Sequence, residues 1–369
     1  MEPNYETDTS PVVPESNMSR FNKTFVFIIV LLVIFCAGIL SYIFFMPNKN
    51  NPVALLNKST EKSQISNEDL PYQEMTIPYL RDRTYESKLG ELEPYSQGSN
   101  YTSYLTSYTS DGLKINGFIT VPTTDKPENG YPAIVFVHGY IPPTQYVTTE
   151  KYTDYVDYLA RNGFVVFKID LRGHGNSEGE PGGGYYGSDY VIDTLNARAA
   201  LQSSDFVDKA EVGLWGHSMA GNAVLRAAVA KPEIPAVAIW AGAVYSYEDM
   251  RKYGIQDSSY SPPANNVQRQ NRRADLFQKV GSPSAQSPFW RQVAPIYFLS
   301  DLKGAVGIFH AVNDEVVNIG YSQDLVTELK KTSVPYEFHE YPSGGHNIEG
   351  SSFVSAMQDT VNFYNKYLK

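Results

Sequence analysis

A serine between small residues, six histidines and a single cysteine bound the chemistry open to this chain. The stretch "EVGLWGHSMAGNAVL", residues 211–225, runs from apolar and β-branched residues through Gly216, His217, Ser218, Met219 and Ala220 into helix formers. A serine at such a strand-to-helix corner takes a strained backbone conformation that only small neighbours tolerate, and its hydroxyl stands exposed beside a helix N-terminus. The plainer alternative is a serine that caps the helix. A serine nucleophile needs an imidazole to take its proton and a carboxylate to orient that imidazole. His346, in "SGGHN", follows the final apolar run in a Gly-rich loop, whereas His339 lies inside that run and His138, His174 and His217 precede or adjoin the serine. Asp314, in "FHAVNDEVV", follows the run "AVGIFH" by a few residues; Asp301 precedes that run and Asp324 belongs to the helical pattern after it. His310 ends the run ahead of the acid and would reverse the order. Ser218, Asp314 and His346 therefore stand in the order serine, acid, histidine.

Something must hold these three loops together. "YTSYLTSYTSDGLKINGFITVP" alternates with a period of two on both sides of Asp111-Gly112, which predicts an antiparallel hairpin. Short β-rich runs follow at 133–139, 164–170, 211–215, 236–242, 305–310 and 335–341, most of them separated by helical patterns such as "YTDYVDYLARN", "YVIDTLNARAALQ" and "GYSQDLVTELKK". Strands alternating with helices predict a mostly parallel sheet covered on both faces. In such a sheet the ligand crevice lies beyond the C-terminal ends of the strands, where each of the three residues falls. The interval 245–302 breaks the alternation and predicts a cap insertion, with Tyr247, Tyr253, Tyr260, Phe289 and Trp290 as aromatic surface and Arg269, Arg272 and Arg273 as charge.

The motifs "VFVHGY", "DLRGHGNSEG", "GLWGHSMAG", "FHAVNDEVV" and "YPSGGHN", in this order from about Asn100 to the C-terminus, resemble the α/β-hydrolase superfamily. More narrowly they resemble the catalytic domain of the prolyl oligopeptidase family of serine peptidases, with its dipeptidyl aminopeptidases and acylaminoacyl peptidases. Ala220 departs from the family's usual final Gly in the elbow, and Ala311 stands where a Gly commonly follows the histidine of the acid-bearing strand. The resemblance implies a serine hydrolase acting through an acyl-enzyme on small peptides, with a carboxylesterase on small acyl esters as the alternative and a non-catalytic hydrolase-like binding module behind both. It implies an oxyanion hole from the backbone N–H of Met219 and from Tyr140, by its N–H or its hydroxyl. It assigns "DLRGHGNSEG" to scaffold.

The formal net charge of −10, with no clustered Lys/Arg stripe, argues against a nucleic-acid surface. No metal-ligand spacing and no phosphate-loop motif occurs, so neither metal nor cofactor is expected. Phe25–Met46 is uncharged over about 22 residues, which as a helix spans ~33 Å against a hydrocarbon core of about 30 Å. It predicts one transmembrane helix within 23–46, after a polar tail over 1–22 and before a flexible tether over 47–70. The catalytic domain, 71–369, is then expected on the extracytoplasmic side of a single-pass membrane protein. Cys36, inside that segment, leaves the remainder without disulfides.

Overall fold

The computed structural model describes residues 71–256 and 267–368. Nine strands form one sheet: β1 (Glu93–Gln97), β2 (Tyr101–Ser110), β3 (Leu113–Pro122), β4 (Tyr131–Val137), β5 (Val165–Ile169), β6 (Val207–His217), β7 (Ala236–Trp240), β8 (Ala305–Ala311) and β9 (Tyr336–Tyr341). Their order is β1-β2-β3-β5-β4-β6-β7-β8-β9. The first three and the β3–β5 pairing are antiparallel, and every pairing from β5 onward is parallel. The β2–β3 turn has positive φ at both Asp111 (53°) and Gly112 (79°), as a two-residue turn that matches strand twist requires.

The inner strands β4, β5, β7 and β8 are buried along their whole length, because helices cover both faces. After a short helix α1 (Ile77–Asp82), the covering helices are α2 (Thr153–Arg161), α3 (Asp189–Gln202), α4 (Met219–Ala230), α8 (Gly320–Leu329) and α9 (Phe353–Tyr367). Side chains alternate along each strand. Val135, Phe167 and Leu214 share one core with α3, α4 and α8, while Phe136, Val166 and Trp215 share the other with α2 and α9. The interval after β7 holds α5 (Tyr247–Tyr253), α6 (Val267–Val280), α7 (Pro288–Val293) and a 3-10 segment, Pro295–Asp301. Arg226 of α4 is fully buried; its guanidinium donates to the carbonyls of Gly187 at 2.5 Å and Met75 at 2.6 Å, and so fastens the residues before α1 to α4.

This is the α/β-hydrolase arrangement expected from the motifs, with one correction. A transmembrane helix over Phe25–Met46, and with it a single-pass membrane protein with an extracytoplasmic domain, is not supported. That segment lies outside the described residues, and no helix among the described residues is long and apolar enough to cross a membrane. The longest in the hydrolase layers, α9, has 15 residues, about 22 Å at ~1.5 Å per residue, and it carries Asp359 and Lys366. The supported fold is the hydrolase-like one alone. The tail over 1–22 and the tether over 47–70 also lie outside the described residues.

Candidate active site

Ser218 sits between the last residue of β6 and the first of α4 with φ 55° and ψ −119°, a conformation that side-chain-bearing residues avoid and that persists only where the surroundings hold it. The hold is visible. The Ser218 N–H donates to the Trp240 carbonyl at 2.9 Å, and its own carbonyl accepts from Gly221 N–H at 2.9 Å. A Cβ on Gly216 would come within 2.8 Å of the Ala220 carbonyl oxygen and of Val224, and one on Gly221 within 2.7 Å of the Gly242 backbone, so the elbow closes only with glycine at both places. The Ser218 side chain makes no capping bond to α4, which removes the plainer alternative.

Asp314 follows β8, and its side chain has no exposed area. Oδ2 accepts from His346 Nδ1–H at 2.8 Å and from His310 Nε2–H at 3.1 Å; Oδ1 accepts from the N–H groups of Val316 at 2.8 Å and Val317 at 2.9 Å. Burial alone would raise its pKa, but the hydrogen bonds from His310 and His346, with the histidine charge and the Val317 N–H, outweigh it and hold the carboxyl well below the usual range. His346 lies in the 3-10 turn after β9, where Gly344 and Gly345 both have positive φ. With Nδ1 donating to Asp314, a neutral ring carries its lone pair on Nε2.

Ser218 and His346 line one cleft of about 560 Å³, together with Gly139, Tyr140, Tyr152, His217 and Val316. Among the described residues no hydrogen bond joins the Ser218 hydroxyl to the His346 ring. Tyr140 stands in the loop after β4, next to Gly139, whose missing Cβ leaves room for Ser218 Cβ at 3.2 Å. Met219 opens α4, so its N–H lies at the helix N-terminus beside the serine. A larger groove of about 910 Å³, between the β2–β3 hairpin and the loop 143–149, contains none of these residues.

Residues 151–369 match the profile described as the prolyl oligopeptidase family. The chain belongs to that family. Membership places it among serine hydrolases. A probable dipeptidyl-aminopeptidase B from Penicillium rubens is 24% identical over 253 residues, covering 67% of this chain and 26% of its own length. The crystal structure of dipeptidyl peptidase 4 from Porphyromonas gingivalis superposes with a TM-score of 0.56 at 21% identity, covering 73% of this chain and 36% of that one. Acetyl xylan esterase 1 from a Thermoanaerobacterium species superposes equally, TM-score 0.56 at 20% identity, but over 78% of this chain and 92% of that one. The chain thus spans roughly a quarter to under half of the curated relatives it matches.

Other residues of interest fall elsewhere. Asp301 pairs with Arg81 and Asp324 with Lys252 on the surface. In "DLRGHGNSEG", Arg172 binds Asp193 at 2.7 Å and Asp170 accepts from Tyr146 and Thr148. Of the insertion's aromatics, Tyr247 and Trp290 pack edge to face at 4.6 Å and belong to the core. None of the described residues in 245–302 lines the cleft around Ser218; Tyr260 and the Arg269 side chain lie outside the description. Sequence reasoning missed three residues at the cleft, Gly139, Tyr152 and His217, and a fourth behind it, the buried His310 that donates to Asp314. His310 stands four residues before Asp314, a spacing that could have flagged a second donor to the acid.

Proposed function

We propose that this chain hydrolyses small peptidyl or acyl compounds through an acyl-enzyme formed on Ser218, with a peptidase as the first reading. The observation that carries it is the Asp314–His346 hydrogen bond of 2.8 Å at the cleft that also holds the strained Ser218. In this mechanism substrate draws the Ser218 hydroxyl onto His346 Nε2, a bond that commonly tightens only when substrate is bound. The oxygen attacks the carbonyl carbon as its proton passes to His346, and Asp314, kept ionised by its four donors, stabilises the imidazolium. The oxyanion accepts from Met219 N–H at the start of α4. Gly139 N–H is already donated to the Tyr152 hydroxyl, so the loop's contribution comes from Tyr140. His346 then passes its proton to the leaving group, which departs, and activates a water that releases the acyl group. A cleft of about 560 Å³ suits a small ligand.

Family membership and the dipeptidyl-aminopeptidase relative favour peptide bonds. An esterase is the second reading, favoured by the near-complete coverage of the acetyl xylan esterase. Parallel turnover of dipeptidyl and aminoacyl amides and of short acyl esters by the purified protein separates the two. Ser218→Ala tests both, since loss of the nucleophile costs on the order of 10⁶-fold in kcat. Activity of that variant within tenfold of the parent refutes the assignment.

A further inference from the structure

Between the nucleophile and the loop after β4 lies a run of hydrogen bonds that the mechanism leaves unused. Gly139 N–H donates to the Tyr152 hydroxyl at 3.0 Å, and that hydroxyl lies 2.7 Å from His217 Nδ1. His217 Nε2 lies 2.9 Å from the carbonyl oxygen of His346. The proton positions follow from the partners. A carbonyl only accepts, so Nε2 carries a hydrogen; a neutral ring then has its lone pair on Nδ1, which receives the Tyr152 hydroxyl proton. That hydroxyl in turn accepts from Gly139. Every donor in the run meets one acceptor.

The surroundings fix the same arrangement. His217 is 3% exposed, and burial, with the neighbouring His346 ring, pushes its pKa down to about 3, so it is neutral at working pH. Tyr152 has φ 57° at the head of α2, and its ring packs on Phe136 and Trp215 at 5.5 and 6.0 Å. A Cβ on Gly139 would meet the Tyr152 hydroxyl at 2.9 Å and His217 Nδ1 at 3.0 Å, as well as Ser218. The three backbone points joined, Gly139, His217 and His346, each adjoin or bear a group of the reaction: Tyr140, Ser218 and the base.

We infer that Tyr152 and His217 are positioning residues, a hydrogen-bonded strut that sets the distance between the oxyanion loop, the elbow and the backbone of the general base. This rests on the serine-hydrolase reading above. A misplacement near 1 Å at reacting groups can cost on the order of 10²-fold, so the strut acts on kcat and leaves substrate affinity nearly unchanged.

The test uses the full chain. Tyr152→Phe keeps the ring packing and removes the hydroxyl; His217→Phe keeps a ring and removes both polar nitrogens; His217→Gln keeps one donor and one acceptor. Expected are losses of about 10- to 100-fold in kcat for the two Phe variants with KM within about threefold, a double variant no slower than the slower single, and His217→Gln recovering most of what His217→Phe loses. Phosphonylation of Ser218 by a fluorophosphonate should slow in parallel. Should Tyr152→Phe fail to fold, the His217 pair carries the comparison alone. Kcat within twofold of the parent for the variants that fold, strictly additive losses, or His217→Gln no better than His217→Phe would overturn the strut. Imidazole ¹⁵N spectra decide the geometry without activity: the strut requires a neutral Nε2–H tautomer at His217, and an Nδ1–H or doubly protonated ring at pH 7 refutes it. A parent protein that the fluorophosphonate never labels would sink the hydrolase reading, while the spectra still report on the strut.

Discussion

Asp314→Asn separates an orienting carboxylate from a merely buried one, because all its acceptor positions are occupied. Oδ1 faces two backbone N–H groups and Oδ2 faces two imidazole N–H groups. An amide has one acceptor end. The backbone donors of Val316 and Val317 cannot change, so the amide oxygen must take them, which turns the NH₂ toward His346 and His310. Both rings then have to present a lone pair. His310 can do so by donating from Nδ1 to the Ser322 hydroxyl 2.7 Å away, but its Nε2 then loses its bond to the Val317 carbonyl at 3.0 Å, which adds to the cost of the substitution. His346 does so by moving its proton from Nδ1 to Nε2, the nitrogen that accepts from Ser218 in the proposed mechanism. The corresponding change in serine proteases costs about 10⁴-fold in kcat. Losing charge on a group that several donors hold ionised should also cost about 1.5–3 kcal/mol of stability. The assay is kcat on whichever amide or ester the parent turns over, with phosphonylation rate and urea midpoint alongside. Asp324→Asn is the matched control: it accepts from Lys252 at 2.9 Å and Tyr253 at 2.8 Å, away from the cleft, and should leave kcat within about threefold, as surface changes usually do. Equal small effects at both positions would refute Asp314 as the orienting acid.

Gly139→Ala places a methyl within 2.9–3.2 Å of Tyr152, His217 and Ser218, so kcat should fall more than about tenfold while the urea midpoint moves little; unchanged kcat would mean that the loop yields. Arg226→Met strands the Gly187 and Met75 carbonyls and should lower stability by about 2 kcal/mol, read as a urea midpoint; a neutral result would show that the docked residues before α1 contribute nothing. Burial, then the neighbouring His174 for His138 and His346 for His217, pushes both imidazoles from 6.5 to about 3. Between those values the unfolded chain binds more protons than the folded one. Stability is therefore full above pH 6.5 and declines as pH falls toward 3, by up to about 2.7 kcal/mol per pH unit for two groups. Urea midpoints from pH 7.5 to 4.5 check it: a flat profile refutes neutral burial of the pair, and His138→Gln should halve the slope.

What the sequence made legible follows from the range of each signal. The period-two hairpin around Asp111-Gly112, the helices between apolar runs and the small residues flanking Ser218 are local patterns, and each has a steric cause within a few residues. β1 left no such pattern because all five of its residues are exposed. The insertion's aromatics show the limit from the other side: Trp290 and Tyr247 read equally well as a ligand wall or as core, and only packing against Phe277 and Tyr186 decides for core.

The same limit hides the partners of His217 and His310. The order serine, acid, histidine leaves both out, although the partner of His310 stands only four residues away and that of His217 is remote in the chain. His310 reaches Asp314 because the turn after β8 folds back on the strand, with Asp314 N–H bonded to the Ala311 carbonyl at 3.2 Å. His217 meets Tyr152, 65 residues earlier, because β4 lies beside β6 in the sheet and the loop leaving β4 returns over the elbow. Parallel pairing is what makes this possible. It brings the C-terminal ends of successive strands to one edge, so residues far apart in sequence become neighbours there while each loop stays free to vary. A histidine beside Ser218 can therefore be tied to a tyrosine that no local pattern identifies, and, if the two form the inferred strut, a Tyr152→Phe change, conservative by composition, should act on the reaction rather than on the fold.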